Sequence, residues 1–459
     1  MPLLTAAIAG LLLFASDHPL HWWPLQLVAF VPLWLALARS RVAGRRLWPL
    51  GSVFALAYAG PVLLVTGFAP PIVVAVLASL LQWTLLAAIC GRLLDKGPVV
   101  SALGIGAAVT LFELAVWTLV PMFGTAQCFA RPLSSAPDLV AFVAFTGMGG
   151  LVFVLTTLSA LVANALRGPS RKAPLAVATA LVALVAVADY VRWTRPLGPE
   201  HQVAAFGWGA RLPEDSRATI LQTYERAFED AGRQGAVLLV TPETGIGVGA
   251  DRREIAIESL GSFAKSLKMN AALGVWHGAT NDNRIWFFGT DGALQGEYRK
   301  THLIPWLEDY VGGDGTVVTT QLRDGTSLGG MICQDDNFVD LARAHGQLGI
   351  RLVAVPTNDW AAIRGFHFDN SIFRAIENGY AIVRAASGGI SALITPRGEI
   401  TAFDHVENDA AALLCRPLAT GDGAVTVYAR LGDWPMLLLA GILGIFAWTR
   451  RTQPEWSLP

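Results

Sequence analysis

Seven apolar segments fill the first 192 residues of this chain, an eighth lies near its far end, and a stretch of ordinary charge separates them. The segments run over roughly 3–16, 22–38, 47–66, 71–94, 101–120, 139–166 and 173–191, with the last at about 434–448. Most approach the roughly 20 apolar residues that a membrane-spanning helix needs. With 53% hydrophobic and 15% charged residues, the chain is too apolar for a soluble protein of 459 residues. The pattern predicts a transmembrane domain over 1–195, a water-facing domain over 201–430, and a C-terminal transmembrane helix with a tail over 431–459. The first segment runs on into further apolar segments, so it reads as a retained helix rather than a cleaved signal.

Basic residues in the short loops set the orientation, because Lys and Arg are retained on the cytoplasmic side. Arg39, Arg41, Arg45 and Arg46 follow the second segment, Arg92 and Lys96 the fourth, Arg167, Arg171 and Lys172 the sixth, and Arg450 and Arg451 the last. All four clusters fall on one face. Both termini are therefore expected in the cytoplasm and the charged stretch outside it, which in a bacterial inner membrane means the periplasm. Glu113 lies inside the fifth segment. It reads as a hydrogen-bond partner for another helix, with a functional intramembrane carboxylate as the alternative.

The stretch 201–430 alternates strand and helix patterns and then pairs strands as hairpins, which predicts an α-β-β-α sandwich. A net charge of −1 gives nucleic acid no electrostatic footprint. The cysteines at 90, 128, 333 and 415 have none of the spacings of a zinc site or redox pair, and neither cofactor nor metal is expected.

Three strand ends in this stretch carry chemistry. Val240-Thr-Pro-Glu243 puts a carboxylate past a buried strand, Tyr298-Arg-Lys300 puts a lysine past another, and Gly329-Gly-Met-Ile-Cys333 puts a thiol past a third. Singly, each has an ordinary reading: a solvated turn, a surface lysine, a small buried hydrophobe. Together, a base, a cation for an oxyanion and a nucleophile suffice for acyl transfer through a thioester.

Their order and contexts resemble the nitrilase, or carbon–nitrogen hydrolase, superfamily, whose Glu-Lys-Cys triad falls on Glu243, Lys300 and Cys333. The resemblance includes Pro242-Glu243-Thr244, the run Lys300, His302, Leu303, Pro305 and Glu308, and the run Asn358-Asp359, His367, Arg374, Glu377, Arg384 and Gly388-Gly389. With the flanking helices, the whole chain is similar to the membrane-bound apolipoprotein N-acyltransferases. That family commonly has Tyr-Glu after the cysteine where this chain has Gln334-Asp335; its arginine after the membrane glutamate is Val116 here, and its Gly-Phe-Pro-Trp segment is absent around 120–127.

The resemblance implies a phospholipid acyl donor, a diacylglyceryl-lipoprotein acceptor, contact with membrane lipids and a monomer. Glu308 is expected to orient Lys300, Asp335 to support the site from the acceptor side or, alternatively, to support the loading geometry by orienting Lys300, and Trp306, Trp360 and Phe366 to form an apolar mouth or simply to pack. A membrane-tethered amidase using water as acceptor, or a diverged paralogue with another acyl acceptor, shares the same triad.

Overall fold

The computed structural model describes residues 1–120, 122–168, 171–209, 217–404 and 411–451; the expected helix start at Pro213 and the tail from 452 lie outside them. The chain forms two compact units, Met1–Trp193 with the residues from Leu431 onward, and Thr194–Arg430.

The first unit is helical: α1 (Pro2–Ser16), α2 (Gln26–Val42), α3 (Trp48–Thr66), α4 (Pro70–Leu93), α5 (Pro98–Leu119), α6 (Pro137–Val140), α7 (Val143–Arg167) and α8 (Lys172–Trp193). Prolines open α1, α4 and α5, where a missing N–H costs nothing. Six helices among the described residues are long and apolar enough to cross a membrane, while Pro2–Ser16 and the closing helix Trp434–Thr449 are shorter. The segment expected over 139–166 as one helix is interrupted at Gly147, whose φ of 65° no α-helix accommodates.

Gln82 of α4 donates to Glu113 of α5 at 2.6 Å, which gives the carboxylate its interhelical partner. The basic clusters gather at one end of the bundle. There Arg41 pairs with Asp95 at 2.8 Å, Arg167 Nη2 donates to the Leu94 carbonyl at 2.7 Å, and Lys96 donates to the Arg450 carbonyl.

The second unit contains β1 (Glu200–Trp208), α9 (Arg217–Arg233), β2 (Leu238–Val240), β3 (Ile246–Val248), α10 (Arg253–Leu267), β4 (Asn270–His277), β5 (Asp282–Phe288), β6 (Leu294–Arg299), β7 (Thr320–Gln321), β8 (Ser327–Gly330), α11 (Val339–Gln347), β9 (Leu352–Asn358), α12 (Arg364–Asn378), β10 (Ala381–Ser387), β11 (Ser391–Ile394), β12 (Ile400–Asp404) and β13 (Ala411–Ala419). A short α13 (Val427–Leu431) then leads to α14 (Trp434–Thr449).

The strands form two half-sheets. One runs β6-β5-β4-β2-β1-β13 with β3 beside β4, and the other β7-β8-β9-β10-β11-β12. Among the described residues, only Trp208 opposite Ser387 links them in the strand register. Alternate residues Ala204, Phe206 and Trp208 of β1 pack with Leu239, Leu273 and Val275 against Tyr224 and Phe228 of α9 and Leu260 and Ala264 of α10.

The buried residues of opposite parity, such as Val203 and Ala205, point to the other face. Gly330 of β8 shows how closely the halves approach, since a Cβ there would sit 2.6 Å from Ile285 and 2.8 Å from Phe287 of β5. This is an α-β-β-α layering, with α11 and α12 packed together behind the second half.

Candidate active site

Glu243 leaves β2 through a turn pinned on both sides. Thr241 N–H donates to the Ala272 carbonyl and Gly274 N–H to Thr241 Oγ1, each at 3.1 Å. A Cβ on Gly274 would fall 2.0 Å from the Pro242 carbonyl, so only glycine lets β4 run beneath the turn. Thr244 then takes a left-handed φ of 51°. The chain thereby turns the Glu243 carboxylate inward, where Asn283 Nδ2 donates to Oε1 at 2.6 Å.

Lys300 follows β6 and extends the β5 pairing by one bond, its N–H donating to the Asn283 carbonyl at 2.9 Å. Its side chain is wholly buried, and Nζ donates to Glu243 Oε1 at 2.8 Å and to Glu308 Oε1 at 2.6 Å. Glu308 is itself held, because Ile304 N–H donates to its Oε2 at 2.9 Å. Burial works against the Lys300 charge, but Glu243, Cys333 and Glu308 outweigh it and hold the ammonium well above the usual lysine range. Burial likewise lifts Glu308, against the opposing pull of Lys300.

Cys333 arrives from the second half-sheet. Gly330 ends β8, Met331 N–H still bonds the Ala354 carbonyl at 3.0 Å, and Cys333 then adopts a φ of 46° to open a 3₁₀ turn over Cys333–Asn337. A non-glycine residue in that region costs about 1–2 kcal/mol, so the surroundings must impose it. Burial, then the Glu243 carboxylate, push the Cys333 thiol well above the ordinary cysteine range. At neutral pH the sulfur is a thiol, and only loss of its proton to a base would make it nucleophilic.

Asp335 lies in the 3₁₀ turn that Cys333 opens. It is fully buried, and its oxygens point at the lysine segment and the cysteine turn. Oδ1 accepts from Thr301 N–H (3.2 Å), His302 N–H (2.8 Å) and His302 Nδ1 (3.0 Å); Oδ2 accepts from Tyr298 O–H (2.7 Å) and Ile332 N–H (3.0 Å). The shorter carboxylate already reaches every donor.

His302 completes the clamp by stacking on Phe338, ring centroids 3.8 Å apart. Burial opposes its charge, yet Asp335 and Asp340 raise it to about 9.

Behind the thiol lies a buried ion cluster. Arg384 donates to Asp336 and to Asp359 at 2.9 Å each, and His367 lies 2.6 Å from Asp359 through Nδ1 and 2.9 Å from Asp336 through Nε2. Burial alone would raise the two carboxyl groups, but His367 and Arg384 hold both below the usual range. Donor atoms of Cys333, Asp359 and His367 lie within 4.8 Å of one another. Nδ1 is already committed to Asp359 and Nε2 to the Cys333 carbonyl, so the trio reads as an ion cluster rather than a metal centre.

Of the expected apolar mouth, Trp306 is 63% exposed, Trp360 is half-buried, and Phe366 is only 8% exposed within α12. Asn283, Tyr298 and Asp336 are site neighbours that the sequence reading did not single out. A polar Asn at the head of the run Ile285-Trp-Phe-Phe288 was the available signal for the first.

Residues 203–409 match the carbon–nitrogen hydrolase family. The chain is 28% identical over 262 residues to an apolipoprotein N-acyltransferase of Gloeobacter violaceus, a match spanning 51% of this chain and 49% of that protein. It is 26% identical over 513 residues to an apolipoprotein N-acyltransferase of Geobacter metallireducens, covering 98% and 96%. The chain thus spans about half the length of the first relative and nearly all of the second. Among solved structures, an amidase of the nitrilase superfamily from Nesterenkonia AN1 aligns at 23% identity with a TM-score of 0.42, over 52% of this chain and 95% of that one.

Proposed function

We propose that this chain, whose residues 203–409 form a carbon–nitrogen hydrolase domain and whose full length is similar to apolipoprotein N-acyltransferases, moves a fatty acyl chain from a phospholipid to the α-amine of a diacylglyceryl-cysteine at a lipoprotein N-terminus. The observation that carries this reading is the buried Lys300 ammonium held between Glu243 and Glu308 beside the strained Cys333 turn.

Glu243 takes the thiol proton, and the sulfur attacks the ester carbonyl of the donor lipid. Lys300 and backbone amides near Gln334 balance the charge on the tetrahedral oxygen. Collapse breaks the acyl C–O bond, Glu243 returns the proton to the departing alkoxide, and lysophospholipid leaves. The incoming amine then attacks the thioester, loses a proton to Glu243, and releases the thiol with the amide formed. The exposed apolar side chains of Trp306, Leu307 and Val311 follow Lys300 and would receive the acyl chain. The catalytic domain lies in the periplasm and both termini in the cytoplasm of a bacterial inner membrane, in keeping with the basic clusters at one end of the bundle.

Intact-mass spectrometry of the purified protein incubated with phospholipid tests the first half-reaction. A gain of one acyl chain on the Cys333 peptide, discharged by a diacylglyceryl-cysteine peptide, is the expected result. Discharge by water at the same rate with no acylated peptide would identify an amidase-like hydrolase instead.

The orientation has its own test. Reporter fusions at Gly421 and at the C-terminus are expected to register opposite sides of the membrane; a cytoplasmic signal from both would refute the assignment.

A further inference from the structure

We propose that His367 is a positioning residue for the nucleophile: a permanently cationic imidazolium that fixes the left-handed backbone of Cys333 through its carbonyl and stabilises the thiolate at close range. The inference rests on the reading of Cys333 as the attacking group. His367 projects from α12 and meets three other segments, the 3₁₀ turn with Cys333 and Asp336, the end of β9 with Asp359, and β10 with Arg384.

Its charge follows from geometry. Nδ1 lies 2.6 Å from Asp359 Oδ1, and Nε2 lies 2.9 Å from Asp336 Oδ1 and 3.2 Å from the Cys333 carbonyl oxygen. Carboxylate and carbonyl oxygens only accept, so each ring nitrogen needs a proton, and only the imidazolium carries two. Arg384 Nη2 also approaches Nδ1, at 3.2 Å, and would suit a bare nitrogen there. The shorter carboxylate contact decides the matter, because two unprotonated acceptors do not sit 2.6 Å apart. The charge count agrees: Asp336 and Asp359 balance Arg384 and His367 only when the imidazole is charged. Burial opposes that charge, but Asp359 and then Asp336 raise His367 to about 9.

Two consequences follow for the thiol. The bond to the Cys333 carbonyl opposes relaxation of the φ of 46° toward an ordinary extended value. In addition, the imidazolium lies within 4.8 Å of Sγ, where its charge offsets the Asp359 carboxylate that lies within the same distance and opposes the developing thiolate.

The test is the pH profile of Cys333 alkylation by iodoacetamide in the full-length protein, with the site of modification read by peptide mass. This reports on the thiol itself, so it stands even if acyl transfer proves to be the wrong reaction. His367→Gln keeps one N–H donor and removes the charge. Its profile is expected to move toward higher pH by about one unit, with alkylation near pH 8 slowed about tenfold, because loss of a nearby cation raises the thiol pKa. An unshifted profile in a folded His367→Gln protein overturns the proposal.

The charge can also be read without changing His367. In protein labelled with ¹⁵N-histidine and carrying His302→Asn, one imidazolium signature is expected to persist at pH 8. A spectrum with none at that pH overturns the proposal as well.

Discussion

Replacement of Cys333 by alanine is expected to abolish acyl loading, with a fall of at least about a thousandfold, the scale on which removal of a covalent nucleophile acts. Replacement of Cys90, Cys128 or Cys415 by alanine is expected to leave loading essentially unchanged. All four cysteines are buried and outside any disulfide, so burial does not distinguish them. Their surroundings do.

Cys415 lies on β13 with Gln202 Nε2 at 3.4 Å, whereas Cys333 has the Glu243 carboxylate and the Lys300 ammonium acting on its thiol. Cys90 lies within α4 and Cys128 among the helices of the first unit. Incubation of each variant with phospholipid, followed by intact-mass measurement, checks the assignment. An adduct retained in Cys333→Ala would move the nucleophile elsewhere.

The second large effect is expected at Asp335, and it falls on loading rather than on choice of acceptor. Asp335→Ala leaves the N–H groups of Thr301, His302 and Ile332 and the hydroxyl of Tyr298 without their acceptor in a buried site. Loss of a partner in such a network costs on the order of 3–5 kcal/mol, which corresponds to a Tm lower by roughly 10 °C.

The family-like pair, Gln334→Tyr with Asp335→Glu, is expected to slow thioester formation about a hundredfold. The added methylene has no room at a position with no exposed surface, and its strain cost is about 1–3 kcal/mol. Lys300 lies one residue before Thr301, so displacement of that segment carries the ammonium with it. Separate measurement of loading and of discharge from pre-formed thioester distinguishes the roles: unchanged loading with slowed discharge would return Asp335 to the acceptor side.

Much of this site was legible because strand ends are where a polar residue interrupts an apolar run. Glu243, Lys300 and Cys333 each stand at such a break, and the layered fold followed from strand and helix alternation around them. Asp335 leaves two readings open in the linear sequence, the acceptor side or the loading geometry, for a physical reason. Sequence adjacency places it beside the nucleophile, but the left-handed φ of Cys333 and the 3₁₀ turn rotate its side chain back toward β6. Nothing in a linear pattern reports that rotation. Asn283 and Tyr298 escaped notice because a polar group on a strand is read as facing solvent until the partner sheet is known. The interruption at Gly147 was hidden for the opposite reason, since glycine is common inside apolar helices.

The two half-sheets, joined in register among the described residues by the single pair Trp208 and Ser387, give the site a mechanical weakness. Glu243 and Lys300 ride on one half and Cys333 on the other, so a small shear between the halves would part the Glu243 carboxylate from the Cys333 thiol while leaving every helix and strand intact. Beyond the bond from Gly388 N–H to the Trp208 carbonyl, resistance to that slip falls to side-chain contacts: Gly330 seated on Ile285 and Phe287, and Asp335 acting as a rivet from the cysteine turn to Tyr298, Thr301 and His302. Substitutions along this seam would disarm the enzyme well before they unfolded it.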